Sequence, residues 1–220
     1  MSERWDKFKV WMKKAWHFFW EEDSVWSWLV NIIVAFILIK FIVYPLLGLV
    51  LGTGFPLVAV ISESMEHGLH DQIICGQVFD DLQYSFDNYW KRCGSWYEQN
   101  GITKEQFKLF PFRNGFDKGD VIILWRANPS NIHLGDILVF QGNKPQPIIH
   151  RVVKDWQEEG KDYYQTKGDH NSASLTGQNG ETKIGIERVY GKGLFRIPYL
   201  GWVKILVVDA LSLVGIQISS

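Results

Sequence analysis

Residues 29–51 read LVNIIVAFILIKFIVYPLLGLVL, an apolar run of 23 residues with no capping signal inside it. At a helical rise of about 1.5 Å per residue it is roughly 34 Å long, enough to cross a hydrocarbon core of about 30 Å. A buried core helix is the alternative, and the uncapped length argues against it. The polar members are Asn31 near one end and Lys40 in mid-segment. A central Lys costs about 2.5–3.5 kcal/mol on insertion scales, which the surrounding Leu, Ile, Val and Phe offset. Pro45 lacks an N–H and is expected to kink the outer part of the helix. The run is too long and too far from the N-terminus for a cleaved signal peptide, so it reads as a signal anchor.

The flanks set an orientation. Arg4, Lys7, Lys9, Lys13 and Lys14 precede the run, whereas no Lys or Arg occurs from Thr53 to Trp90. The positive-inside rule then puts the N-terminus in the cytoplasm and everything after Leu51 outside the cell membrane. Trp5, Phe8, Met12, Trp16 and Phe19 recur at i, i+3, i+4 spacing, one stripe of a helix with Lys7 and Lys14 opposite. A basic amphipathic helix with such a face suits a membrane interface, and a partner-binding helix is the alternative. Six of the 11 Trp lie in the first 28 residues, as an interfacial belt would require. Mean hydropathy of −0.08 conceals this, because an apolar anchor and a polar outer domain cancel. The net charge of −1 argues against a nucleic-acid binder.

Beyond residue 118 the pattern changes to short apolar runs between turn residues. Strands are expected at Val121–Trp125, Ile137–Phe140, Ile148–Val153, Tyr163–Thr166 and Ile184–Tyr190, with Gly119-Asp120 and Gly135-Asp136 before two of them. Residues 68–117 read as a helical insertion. Phe79, Leu82, Phe86, Tyr89, Trp90, Cys93, Trp96 and Tyr97 repeat near 3.6 residues, and Thr103 with Gln106 forms a capping box for a second helix. Cys75 and Cys93 both fall there, either as one disulfide or as two buried thiols. Residues 199–220 are apolar but contain Asp209, and so cross the membrane, lie on it or pack on the domain.

Three places can carry chemistry. Ser62 and Ser64 flank Glu63 directly after an apolar run. Ser64 stands 13 residues past Leu51, within about 45 Å of the membrane even if the chain is fully extended. A nucleophilic Ser needs a neighbouring base. His150 is a lone imidazole in a β-branched run, and Asp169 stands in the turn after Thr166-Lys167-Gly168. A carboxylate there can hold an imidazole in the tautomer that accepts a proton, although singly such residues are more often structural.

Ser62-Glu63-Ser64-Met65-Glu66, the two Gly-Asp strands, Ile149-His150-Arg151-Val152 and Thr166-Lys167-Gly168-Asp169-x-Asn171, in this order, resemble the type I signal peptidases. The His in place of Lys, and the stretches 119–139 and 191–203, resemble the branch of archaea and the endoplasmic reticulum. The resemblance covers residues 29–67 and 118–203. It implies a mainly β catalytic domain of coiled sheets, which with the features above gives an N-terminal transmembrane helix, a helical insertion and an outer domain over 52–198. It implies a serine endopeptidase that removes signal peptides from exported preproteins through an acyl-enzyme, without metal or cofactor. Ser64 would be the nucleophile, His150 the general base and Asp169 its orienting acid, or Ser64 and His150 would act as a dyad. Ser62 and the Ser64 N–H would form the oxyanion hole. Partners would be signal peptides, the lipid bilayer and the protein-export translocon. The chain departs from the pattern at Glu63, where Gly is commonest, at His67, where Pro is usual, and at Ser174 and Leu175, where a second Asp is usual. An inactive membrane-anchored scaffold of the same ancestry is the rival reading.

Overall fold

The computed structural model describes residues 2–22, 24–68, 73–78, 85–178 and 180–213. They form two compact units, residues 1–50 and 51–220. In the first unit, helix α1 (Ser2–Trp20) leads into α2 (Val25–Leu38), which Ser24 caps by accepting the Ser27 N–H. The side chains of Ser27 and Asn31 turn back to the Phe18 and Phe19 carbonyls at the end of α1. The polar residue near the start of the apolar run therefore satisfies a helix terminus. Past α2 the helix widens into a π-turn over Ile39–Val43 and resumes as α3 (Tyr44–Leu51). Pro45 is the physical cause: with no N–H to donate and a ring crowding the Phe41 carbonyl, the preceding turn relaxes to i→i+5 bonding, the Tyr44 N–H reaching Ile39 O. Lys40 sits in that turn, 5.5 Å from the ring centre of Phe41 and 5.7 Å from that of Phe36. Among the described residues, Val25–Leu51 is the one helix long and apolar enough to cross a membrane.

The second unit is built on one antiparallel sheet. Strand β1 (Leu57–Ala59) precedes a small hairpin of β2 (Ile73–Ile74) and β3 (Gln77–Val78), then helices α4 (Phe86–Gln99) and α5 (Lys104–Leu109). Strands β4 (Val121–Trp125), β5 (Ile137–Phe140), β6 (Ile148–Glu158), β7 (Lys161–Lys167), β8 (Ile184–Gly185) and β9 (Val189–Ile197) follow, and α6 (Trp202–Leu213) ends the described chain. The sheet order is β1-β4-β9-β5-β6-β7-β8. Register shifts within the β4–β9, β5–β9 and β6–β7 pairs bend it. This is the expected mainly β domain with an N-terminal apolar helix and helices inserted before β4.

The strands expected at 121–125 and 137–140 lie at those bounds, and β6 and β7 run longer than expected. The run 184–190 is not one strand: a 3₁₀ turn at Ile186–Arg188 separates β8 from β9, so that β9 leaves β7 and pairs between β4 and β5. Gly119 and Gly135 both take φ of +92°, the left-handed turn that only Gly enters freely before a strand. In the insertion, the Thr103–Gln106 capping box is present in both directions, and Cys75 and Cys93 form a disulfide. Phe79 and Leu82, expected on its first helix, lie outside the described residues. Helix α6 accounts for 12 residues of the apolar C-terminal stretch, and residues 214–220 lie outside the described chain.

Candidate active site

Ser64 lies in the turn after β1. Met65 beside it is 1% exposed and packs with Val60, Phe116 and Ile122, so the alternation of the loop turns Ser64 outward, half-buried. His150 is on β6, 3% exposed, with Nε2 3.0 Å from Ser64 Oγ. Ser62 Oγ lies 3.2 Å from Ser64 Oγ. Two motifs 86 residues apart thus meet at hydrogen-bonding distance, as a nucleophile and its base require.

The expected third member is elsewhere. Asp169 does not orient His150; the Nδ1 of His150 bonds Glu181 Oε2 instead. Thr166 Oγ donates to the same carboxylate oxygen at 2.8 Å, and the Leu175 N–H donates to Oε1 at 2.6 Å. Strand alternation explains the correction. In β6 and β7, His150, Val152 and Thr166 share one face, whereas Arg151 and its register partner Lys167 share the other. Asp169, two residues past Lys167, continues on the Arg151 face. Glu181 escaped the sequence reading because it lies beyond the expected Ser174 and Leu175. It enters from the far side of a longer loop, whose Leu175 carbonyl accepts the Glu181 N–H at 2.9 Å. One signal was available: Glu181 is the single carboxylate between Asp169 and Glu187.

Asp169 is fully buried at the centre of a second polar cluster. Arg151 binds it bidentately, Nε to Oδ1 at 2.9 Å and Nη2 to Oδ2 at 2.7 Å. Tyr97 donates to Oδ1 at 2.9 Å and His67 Nε2 bonds Oδ2 at 2.8 Å. Burial opposes ionisation of Asp169, yet the Arg151 guanidinium and the His67 hydrogen bond hold its carboxyl far below the usual carboxylate range. Burial also works against the charge of Arg151, and Asp169 more than offsets it. His67, the residue in place of Pro, stacks on Tyr89 with ring centres 3.6 Å apart. Burial pushes its imidazole below the ordinary value, against the pull of Asp169. Its Nδ1 is buried without a partner, so a cationic ring would strand an N–H there; His67 is the neutral Nε2–H donor.

Gly168 separates the two clusters. A Cβ on it would stand 2.7 Å from His150 Nε2 and 2.8 Å from the Ser64 carbonyl, so only Gly lets the loop approach Ser64 and His150 this closely. The neighbouring His170 N–H donates to that carbonyl at 2.9 Å, fixing the Ser64 turn to the loop.

Ser64, His150 and Glu181 form a hydrogen-bonded Ser–His–carboxylate chain on an antiparallel sheet, an arrangement of the kind serine hydrolases use. No family model matches the chain. It is homologous to proteins named signal peptidase complex catalytic subunit SEC11. It is 34% identical to that of Lachancea thermotolerans over 98 residues, 34% to that of Eremothecium gossypii over 97 and 32% to that of Metarhizium robertsii over 96. Each match takes in 42% of this chain and 56–58% of the relative, so the chain spans under three fifths of their length.

Proposed function

We propose that this chain is a membrane-anchored serine endopeptidase that removes N-terminal signal peptides from exported preproteins. In this reading Val25–Leu51 is the anchor, the basic N-terminal helix lies at the cytoplasmic surface, and the sheet domain faces outward from the cell membrane. The observation that carries the proposal is the 3.0 Å contact between Ser64 Oγ and His150 Nε2, with Glu181 behind the imidazole.

His150 accepts the Ser64 proton as Oγ attacks the scissile carbonyl. Glu181 holds Nδ1–H and stabilises the imidazolium that forms. The Ser64 N–H and the Ser62 hydroxyl are the donors to the oxyanion, where one such donor is worth about 2.7–4 kcal/mol in comparable hydrolases. His150 then returns the proton to the leaving amine, and water releases the acyl group by the same route. In this reading Glu181 takes the place of the second Asp that Ser174 and Leu175 lack, which counts against the inactive-scaffold alternative.

The test is cleavage of a model preprotein by the purified full chain in detergent. Ser64→Ala and His150→Ala are expected to lower the rate by on the order of 10⁶-fold while the far-ultraviolet spectrum and Tm stay near wild type. Wild-type cleavage rates in either variant would remove the proposal.

A further inference from the structure

The insertion has no part in the chemistry above, yet one face of α4 is directed at the catalytic loop. Tyr89, Cys93 and Tyr97 stand at i, i+4 and i+8, one stripe of the helix. Tyr97 Oη donates to Asp169 Oδ1 at 2.9 Å, and Tyr89 Oη donates to the Asp169 carbonyl at 3.0 Å. Cys93 is bonded to Cys75, whose N–H donates to the His170 carbonyl at 2.9 Å. Cys75 takes φ of +52°, a left-handed conformation unfavourable for a residue with a Cβ, in the tight β2–β3 turn, where a Cβ on Gly76 would stand 3.0 Å from that of Ser172. Residues 169 and 170 are therefore held from the insertion side. On the other side of the same loop the His170 N–H donates to the Ser64 carbonyl at 2.9 Å, and Gly168 runs so close to the pair that a Cβ on it would stand 2.7 Å from His150 Nε2.

We propose that the disulfide-clipped insertion is a positioning device for the catalytic loop, with Tyr97 and Tyr89 acting as positioning residues through Asp169. This rests on the peptidase reading above. Neither phenol touches a reacting atom. Each fixes Asp169 from a fully buried site, and Asp169 is one residue from the Gly168 that sets the approach to His150. Burial raises both phenol pKa values well above ordinary, so both remain O–H donors through the working pH range. A loop shift well under 1 Å at Asp169 is passed to Gly168, and misplacement of that order lowers rates by factors of 10 to 100.

The test compares wild type, Tyr97→Phe, Cys75→Ser/Cys93→Ser and the control Ile132→Val, whose side chain lies in a separate core cluster, all as full chains in detergent. Tyr97→Phe and the double Cys variant are expected to lower kcat about 10-fold with KM within about twofold. Ile132→Val should lower Tm about as much as Tyr97→Phe does and leave kcat unchanged. The downfield proton resonance of His150 Nδ1–H should shift in Tyr97→Phe and not in Ile132→Val. Unchanged kcat and an unchanged resonance in Tyr97→Phe overturn the proposal, as does an equal kcat loss in Ile132→Val. A wild-type chain that cleaves nothing, with the resonance still moved by Tyr97→Phe, upholds the positioning and removes the peptidase reading instead.

Discussion

Glu181 and Asp169 are both fully buried carboxylates on opposite faces of the β6–β7 pair, each against one of two adjacent side chains, His150 and Arg151. Their donors separate them. Asp169 accepts two N–H groups from a guanidinium, one from His67 and one O–H from Tyr97, a saturated set that leaves nothing for a reacting group. Glu181 is held by a threonine hydroxyl and one backbone N–H, and its remaining partner is the imidazole that faces Ser64. Burial alone therefore does not distinguish the two carboxylates. The identity of the partner does, and strand alternation assigns the partners.

The sharpest way to break this contrast is to neutralise each carboxylate in turn. Glu181→Gln is expected to lower kcat by on the order of 10³–10⁴-fold, because an amide no longer selects the Nδ1–H tautomer, while stability changes little. Asp169→Asn leaves the Arg151 guanidinium buried without its counter-charge and should cost about 3–5 kcal/mol of stability. Urea unfolding and kinetics on the same preparations read both effects. An Asp169→Asn protein as stable as wild type, or Glu181→Gln with unchanged kcat, would show the two sites to be less distinct than their contacts.

A smaller effect is expected where the clusters meet. Gly168→Ala places a methyl 2.6 Å from Asn171 Nδ2, 2.7 Å from His150 Nε2 and 2.8 Å from the Ser64 carbonyl. The two side chains can yield but the Ser64 backbone cannot, so the Ser64–His150 contact lengthens. The expected loss is about 100-fold in kcat. A kcat within twofold of wild type would mean that the loop has slack the geometry does not suggest.

How far the sequence reveals such a site depends on how local the signal is. Strands β4 and β5 follow from the Gly-Asp turns and short apolar runs, which are local properties of the chain. The meeting of Ser64 and His150 was to be expected from the ordered set of motifs and the resemblance it carries, not from either residue alone. The 3₁₀ turn at Ile186–Arg188 was not legible, since an apolar, β-branched run carries the same pattern whether or not the chain changes strand partners within it. Glu181 was not legible either: its position depends on how residues 170–180 loop back, which spacing does not encode. The correct face of Asp169 follows from counting alternation from His150 across the β6–β7 register, and register is a tertiary fact.

The smallest expected effect concerns Lys167, which lies on the Arg151 face and within the electrostatic reach of both carboxylates. Its Nζ donates to the Gly168 carbonyl at 3.0 Å and lies 4.7 Å from the Tyr97 ring centre and 5.2 Å from that of Trp96. Burial pushes its pKa down to about 8, with Asp169 and Glu181 partly opposing the shift. The unfolded chain keeps this proton to about pH 10.4, so between pH 8 and 10 it binds more protons than the folded state. Stability therefore rises with pH across that window, and below pH 8 the cost of burying the cation is present in full. Tyr89 and Tyr97 act in the opposite sense only above about pH 10, where the unfolded phenols ionise and the buried ones do not. Unfolding free energies from urea titrations at pH 7, 8 and 9.5 should climb in wild type by about 1–3 kcal/mol in total relative to Lys167→Met, which lacks the titrating group. Parallel curves for the two proteins would place the Lys167 charge in a far better solvated setting than its contacts describe.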